Sequence, residues 1–225
     1  MNAHDREWCT LMPVVAGSHP AKYHMFELCE EILEKKVEGD FAECGVMAGG
    51  QIAVMCKVLE KYGDTKRMVH AFDSFEGIPM AGDNDLELCR QTYGYHAPGT
   101  PLKTSGESAS TVENMIRNLQ KWGVDSGRVI TYKGWFEETL AEYAKNIGPL
   151  ALLRIDVDLY DSTVPVLEHL YPKVVSGGYI VDDDFGPMDQ APTPCRQALI
   201  KYLGGMPKDF VEVAGNPGTA WWRKP

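Results

Sequence analysis

Short apolar runs that alternate with stretches of helical periodicity constrain this chain more than any other feature. Strand-length apolar runs occur at 41–44, 68–72, 129–132, 150–155 and 179–181, and helical spacing fills 51–62, 108–122, 136–146 and 164–170 between them. Runs that are apolar on both faces, rather than patterned in and out, belong to a parallel sheet covered by helices on each side. A helix at about 195–203 is followed by two more strand runs, 210–213 and 220–222. With no helix between them, these two pair antiparallel. The expectation is an α/β chain: one doubly wound domain, a mostly parallel seven-stranded sheet with a C-terminal antiparallel strand, and helices on both faces.

Residues 1–38 form an N-terminal arm and helix, and 39–225 form the main domain. The arm, to about Pro20, has no periodicity. In 21–38, Met25, Leu28 and Ile32 beside Phe26, Cys29 and Leu33 make an amphipathic helix. Arm and helix leave room for a homo-oligomer. Residues 79–107 break the rhythm, being rich in Gly and Pro with the polar run Gly82-Asp83-Asn84-Asp85. A loop that long near strand ends serves as a lid or a binding loop. Ser162 and Thr163 look like an N-cap pair ahead of Pro165.

A net charge of −10 argues against binding by phosphate neutralisation, so nucleic acid is not an expected partner. No apolar run reaches the roughly 20 residues of a membrane span. The six cysteines contain no C-x-x-C pair and no secretory segment precedes them, which places the chain in a reducing cytoplasm. The six histidines are scattered, so any metal would be held by carboxylates.

Two strand ends carry the chemistry. The first runs into Glu43-Cys44-Gly45-Val46-Met47-Ala48-Gly49-Gly50 and then a helix. Glycines there let backbone approach a ligand, and the helix N-terminus offers free N–H groups. The next strand ends in Asp73, placed to accept hydrogen bonds from ribose hydroxyls. The spacing G-x-x-x-G-G lacks the middle glycine of a pyrophosphate turn, which favours S-adenosylmethionine over NAD. At the other end, 150–155 runs into Asp156-Val157-Asp158 and 179–181 into Asp182-Asp183-Asp184. Asp156, Asp183 and Asp184, brought together, repel one another unless a hard cation such as Mg²⁺ or Mn²⁺ neutralises them. Asp161 and Asp182 are taken as solvated or capping residues.

The stretches AECGVMAGG, HAFDSFEGIP, YKGWFEETL, LLRIDVDLYDST, LYPKVVSGGYIVDDDFG and CRQAL, in this order over about 40–202, resemble the macrocin O-methyltransferase (TylF and MycF) family of Rossmann-like, S-adenosylmethionine-dependent enzymes. The resemblance implies that Glu43, Gly45 and Ala48 cradle the methionine part of the cofactor and that Asp73, with Ser74 beside it, binds ribose. It puts Trp135 and Phe136 by the adenine, although both could equally fill the core. It also implies Asp156, Asp183 and Asp184 as metal ligands and Asp158 as general base, the acceptor being a hydroxyl of a small, sugar-bearing molecule. Asp182 falls at a position ordinarily apolar in the family, and 186–194 is richer in proline. Tyr160, Arg154 and His70 stand as supporting or purely structural residues. An alternative from another class is a Mg²⁺-dependent glycosyltransferase using the Asp156-Val157-Asp158 triplet.

Overall fold

Leu, Val, Ile and Phe dominate the apolar runs, and each run is a strand in the computed structural model, which describes residues 1–13 and 17–225. The strands are β1 (Asp40–Cys44), β2 (Val69–Asp73), β3 (Val129–Lys133), β4 (Leu150–Ile155), β5 (Val174–Asp182), β6 (Val211–Glu212) and β7 (Ala220–Arg223). They form one sheet in the order β3-β2-β1-β4-β5-β7-β6. Pairing is parallel from β3 to β5, whereas β7 runs antiparallel to both β5 and β6. The expected seven-stranded architecture is therefore present.

Successive residues of a strand point to opposite faces. Phe41 of β1 enters a core shared with α2 (His19–Glu34), α3 (Gly50–Lys61) and α5 (Val112–Lys121), where Phe26, Met55 and Met115 are buried. Ala42 and Cys44 enter the opposite core, built with α6 (Phe136–Tyr143), α7 (Tyr160–His169) and α8 (Pro194–Leu203) through Leu140, Leu167 and Leu199. Gly177 and Gly178 let β5 start earlier than the apolar run 179–181 suggests.

The arm is more ordered than its composition implies. Asn2 and Asp5 form a reciprocal capping box that starts α1 (Ala3–Leu11). Trp8 Nε1 then donates to the carbonyl of Trp122, 3.0 Å away, and Lys61 pairs with Asp5. Residues 14–16 of the arm lie outside the described residues. Ser18 caps α2 through the Ala21 N–H. The loop 79–107 contains a short helix, α4 (Glu87–Tyr93). Ser162 and Thr163 are inside α7 rather than capping it, with Thr163 Oγ1 donating back to the Leu159 carbonyl. No described helix is long and apolar enough to cross a membrane.

His24 of α2 lies against the Trp221 ring of β7, centroids 5.9 Å apart. Burial pushes it down from its ordinary value of 6.5 to about 4. The folded chain thus prefers neutral His24: its contribution is complete above pH 6.5 and is lost as pH falls towards 4. His24→Gln should flatten the acid side of the stability profile, read as urea midpoints at pH 7 and pH 5. Equal slopes for the variant and the native chain would refute this.

Candidate active site

The strand order reverses between β1 and β4, and doubly wound sheets bind ligands outside the carboxyl ends at such a point. The turn after β1 is shaped by close approach. Gly45 has φ +87°, and a Cβ there would lie 1.6 Å from the Asp156 carbonyl oxygen, so only glycine lets the two strand ends meet. Asp73, at the end of β2, ties the turn down: Oδ2 accepts from the Val46 and Met47 N–H groups at 2.7 and 2.8 Å, and Oδ1 accepts from Phe75. One lone pair of Oδ1 is left for an outside donor.

A cleft opens over this turn. Its walls are Gly45, Asp73 and Ser74, the corner Gly134-Trp135-Phe136, and Asp156 with Asp158. A second cavity shares Gly45, Met47 and Asp156 with the first and continues to Glu43, Asp183 and Gln51. Neither cavity is lined by Ala48, which is buried and gives its carbonyl to Asn118, or by Asp184. Trp135 and Phe136 thus face the cleft while remaining half buried.

Behind the two cavities the acids converge on one cation. Arg154, 4% exposed, is the register neighbour of Glu43 across β1 and β4. Its Nη1 donates to Glu43 Oε1 at 2.6 Å and Asp156 Oδ2 at 2.8 Å, and Nη2 pairs with Asp183 Oδ2 at 3.0 Å. Burial pushes Glu43 up to about 8 and Asp156 up to about 6 despite the guanidinium. Asp184 rises well above the usual carboxylate range through burial and the facing charges of Asp156, Asp158 and Asp182. Its Oδ2 accepts from the Val157 and Asp158 N–H groups at 2.8 and 2.7 Å, holding Asp158 in the left-handed conformation at φ +61°.

These donors suit a hard cation in kind and charge, and Oδ1 of Asp156 and of Asp184 accept nothing from the described residues. A ready-made group of three ligands is absent among the described residues, and Arg154 occupies Oδ2 of both Asp156 and Asp183. A metal entering here competes with that guanidinium.

Asp182 corrects the sequence reading. It is 1% exposed on β5, not solvated; burial pushes it up to about 7, and Oδ1 accepts from the Asp184 N–H at 3.0 Å. His70 is structural, its ring nitrogens facing Tyr132 at 3.0 Å and Asp40 at 3.1 Å. Tyr160, the first residue of α7, packs under Lys201 of α8.

Two residues of the loop 79–107 escaped the sequence reading. Tyr93, at the end of α4, brings its hydroxyl 3.4 Å from Asp158 Oδ1. Asp85, 3% exposed, accepts from the Tyr160 N–H at 2.6 Å and the Gly82 N–H at 2.8 Å. It supplies the cap that Leu159, with no side-chain acceptor, cannot give α7. Asn84 adds a bond to Asp161 at 2.8 Å, so the loop is fastened across the acid-bearing edge. The polar run 82–85 was the available signal, but its distant partner was not.

A sequence profile of the family described as Macrocin-O-methyltransferase (TylF) matches residues 3–224. The chain is 32% identical over 219 residues to the 8-demethyl-8-(2,3-dimethoxy-alpha-L-rhamnosyl)-tetracenomycin-C 4'-O-methyltransferase of Streptomyces olivaceus, covering 96% of this chain and 77% of that protein. It is 34% identical over 195 residues to the demethyldecarbamoylnovobiocin O-methyltransferase of Streptomyces niveus, covering 86% and 70%. Among solved structures, the O-methyltransferase NovP matches with a TM-score of 0.74 at 28% identity, over 92% of this chain and 80% of that one. These matches lend the glycosyltransferase alternative no support.

Asp85→Ala should lower stability by about 1–2 kcal/mol through the lost helix cap and make 79–107 the first site of limited proteolysis. Unchanged stability and cleavage would show that the loop is held by something else.

Proposed function

The chain belongs to the macrocin O-methyltransferase (TylF) family, and on that premise we propose that it methylates a hydroxyl of a sugar carried by a small natural product, using S-adenosylmethionine and a divalent metal. The observation that carries this reading is one continuous cleft with the Gly45 turn, Asp73 and Trp135 on one side and Asp156 and Asp158 on the other. The rhamnosyl group in the name of the Streptomyces olivaceus relative supports a deoxysugar acceptor.

Within that reading, Asp73 offers the remaining lone pair of Oδ1 to the ribose, and Trp135 and Phe136 cover the adenine. S-adenosylmethionine supplies an electrophilic methyl group for in-line displacement by the acceptor oxygen. Asp156, Asp183 and Asp184 would hold Mg²⁺ or Mn²⁺, whose charge would lower the acceptor hydroxyl's pKa. Asp158 takes the acceptor's proton on Oδ2, since Oδ1 faces Tyr93. Asp158 lines the cleft with its backbone in the left-handed conformation, and Asp85 fastens the loop 79–107 beside it at the start of α7.

The test is mass-spectrometric detection of methyl transfer from S-adenosylmethionine to a panel of aromatic compounds with and without a rhamnosyl group. Transfer should stop with a chelator, return with Mg²⁺, and fall by roughly 10²- to 10⁴-fold in Asp158→Asn. Full activity in chelator would remove the metal from this reading, and transfer only to acceptors without a sugar would remove the acceptor class.

A further inference from the structure

Asp183 is held differently from the two acids beside it. Asp156 and Asp184 each keep Oδ1 free of donors among the described residues, whereas both oxygens of Asp183 are engaged. Arg154 Nη2 pairs with Oδ2 at 3.0 Å, and Thr219 Oγ1 donates to Oδ1 at 2.9 Å. The two partners act differently on a cation. The guanidinium is charged and opposes one, while the Thr219 hydroxyl is neutral and leaves a second lone pair on Oδ1 open. Thr219 therefore fixes the carboxylate without competing for its charge.

Thr219 is itself fixed. It is 3% exposed at the end of the connection between β6 and β7. The Val213 N–H donates to the Thr219 carbonyl at 2.9 Å, and the Thr219 N–H donates to the Asn216 carbonyl at 3.2 Å. The Gly186 N–H donates to the Gly218 carbonyl at 2.8 Å, joining this turn to the segment that follows Asp184.

The direction of the hydroxyl comes from farther away. A serine or threonine hydroxyl has one hydrogen to give. Ser18 Oγ accepts from the Ala21 N–H at 3.1 Å as the cap of α2, so its hydrogen goes to Asn216 Oδ1, 2.9 Å away. With Oδ1 so occupied, Asn216 Nδ2 faces Thr219 Oγ1 at 2.6 Å and donates to it. That leaves the Thr219 hydrogen for Asp183. The opposite sense would set Thr219 Oγ1 and a carboxylate oxygen 2.9 Å apart with no hydrogen between them, two acceptors in repulsion. Every donor in the row Ala21, Ser18, Asn216, Thr219 thus points one way and the row ends on Asp183. Hydrogen bonds aligned in this manner strengthen one another.

We infer that Thr219 is a positioning residue for the divalent cation, holding the Asp183 carboxylate in place for it, and that Asn216 and Ser18 set its direction from the arm. This rests on the metal part of the reading above. Outer partners of a ligating carboxylate raise affinity by fixing the ligand before the ion arrives. Without the hydroxyl, Asp183 would be held by Arg154 alone, the partner that a cation must compete with.

The test is titration of the whole chain with Mn²⁺, the free ion being followed by electron paramagnetic resonance. Thr219→Val keeps the shape of the side chain and removes the hydroxyl; it should bind Mn²⁺ roughly ten- to a hundredfold more weakly. Thr219→Ser keeps the hydroxyl and should bind as the native chain does. Asn216→Ala leaves Thr219 in place but removes what directs it, and should show a smaller loss than Thr219→Val. A cooperative thermal transition in chelator shows that each variant is folded. The inference is overturned if either Thr219→Val or Asn216→Ala keeps native affinity. It is also overturned if Thr219→Ser falls as far as Thr219→Val, since packing rather than the hydroxyl would then be at work. A native chain that binds no Mn²⁺ refutes the metal reading itself, and the inference with it.

Discussion

The guanidinium of Arg154 is the interaction on which the site depends. It reaches Glu43 on β1, Asp156 after β4 and Asp183 after β5, so one buried cation ties together the strand ends where the sheet order reverses. Removing one partner of a buried pair costs about 3–5 kcal/mol because an uncompensated charge is left behind. Here three acids would be left. Around that charge the strand ends are also tied by backbone, the Asp156 N–H donating to the Cys44 carbonyl at 2.9 Å and the Asp183 N–H to the Ile155 carbonyl at 2.8 Å.

Strain nearby is held in a similar way. Asp158 has a backbone conformation that costs a non-glycine residue roughly 1–2 kcal/mol, and the Asp184 carboxylate stabilises it by accepting two consecutive N–H groups. Asp184 is itself kept in place through the Thr193 hydroxyl bound to its carbonyl and the Asp182 carboxylate bound to its N–H. Arg196, buried and donating to the carbonyls of Gly186, Pro187 and Gln190, then fixes the proline-rich segment beside it. The acid-bearing edge is therefore braced by hydrogen bonds from within the chain.

Much of this was legible in the residues because local pattern and chemistry agreed. The apolar runs are the strands, and Glu43, Asp73, Asp156 and Asp183 do emerge at one edge of the sheet. What stayed hidden depends on contacts between distant residues. Helix α1 is largely polar, and its sign was the Asn2–Asp5 box rather than periodicity. Asp182 looked solvated because acids usually are; strand register puts it beside Ile155 and Ala220, in the core. Gln51 reads in the sequence as one more residue of α3, and only the tertiary fold sets it beside Gly17, Glu43 and Arg154 in the wall of the second cavity. The start of α7 was misplaced because its cap lies 75 residues earlier.

That distant cap ties the evolution of two regions together. The loop 79–107 looks like an insertion that could be trimmed, yet Asp85 supplies the acceptor for the first turn of α7, which carries on directly from Asp158. A descendant that shortened this loop would also have to place a new capping side chain near Leu159. Changes in this loop are therefore expected to come by exchange of residues on a fixed framework rather than by change of its length.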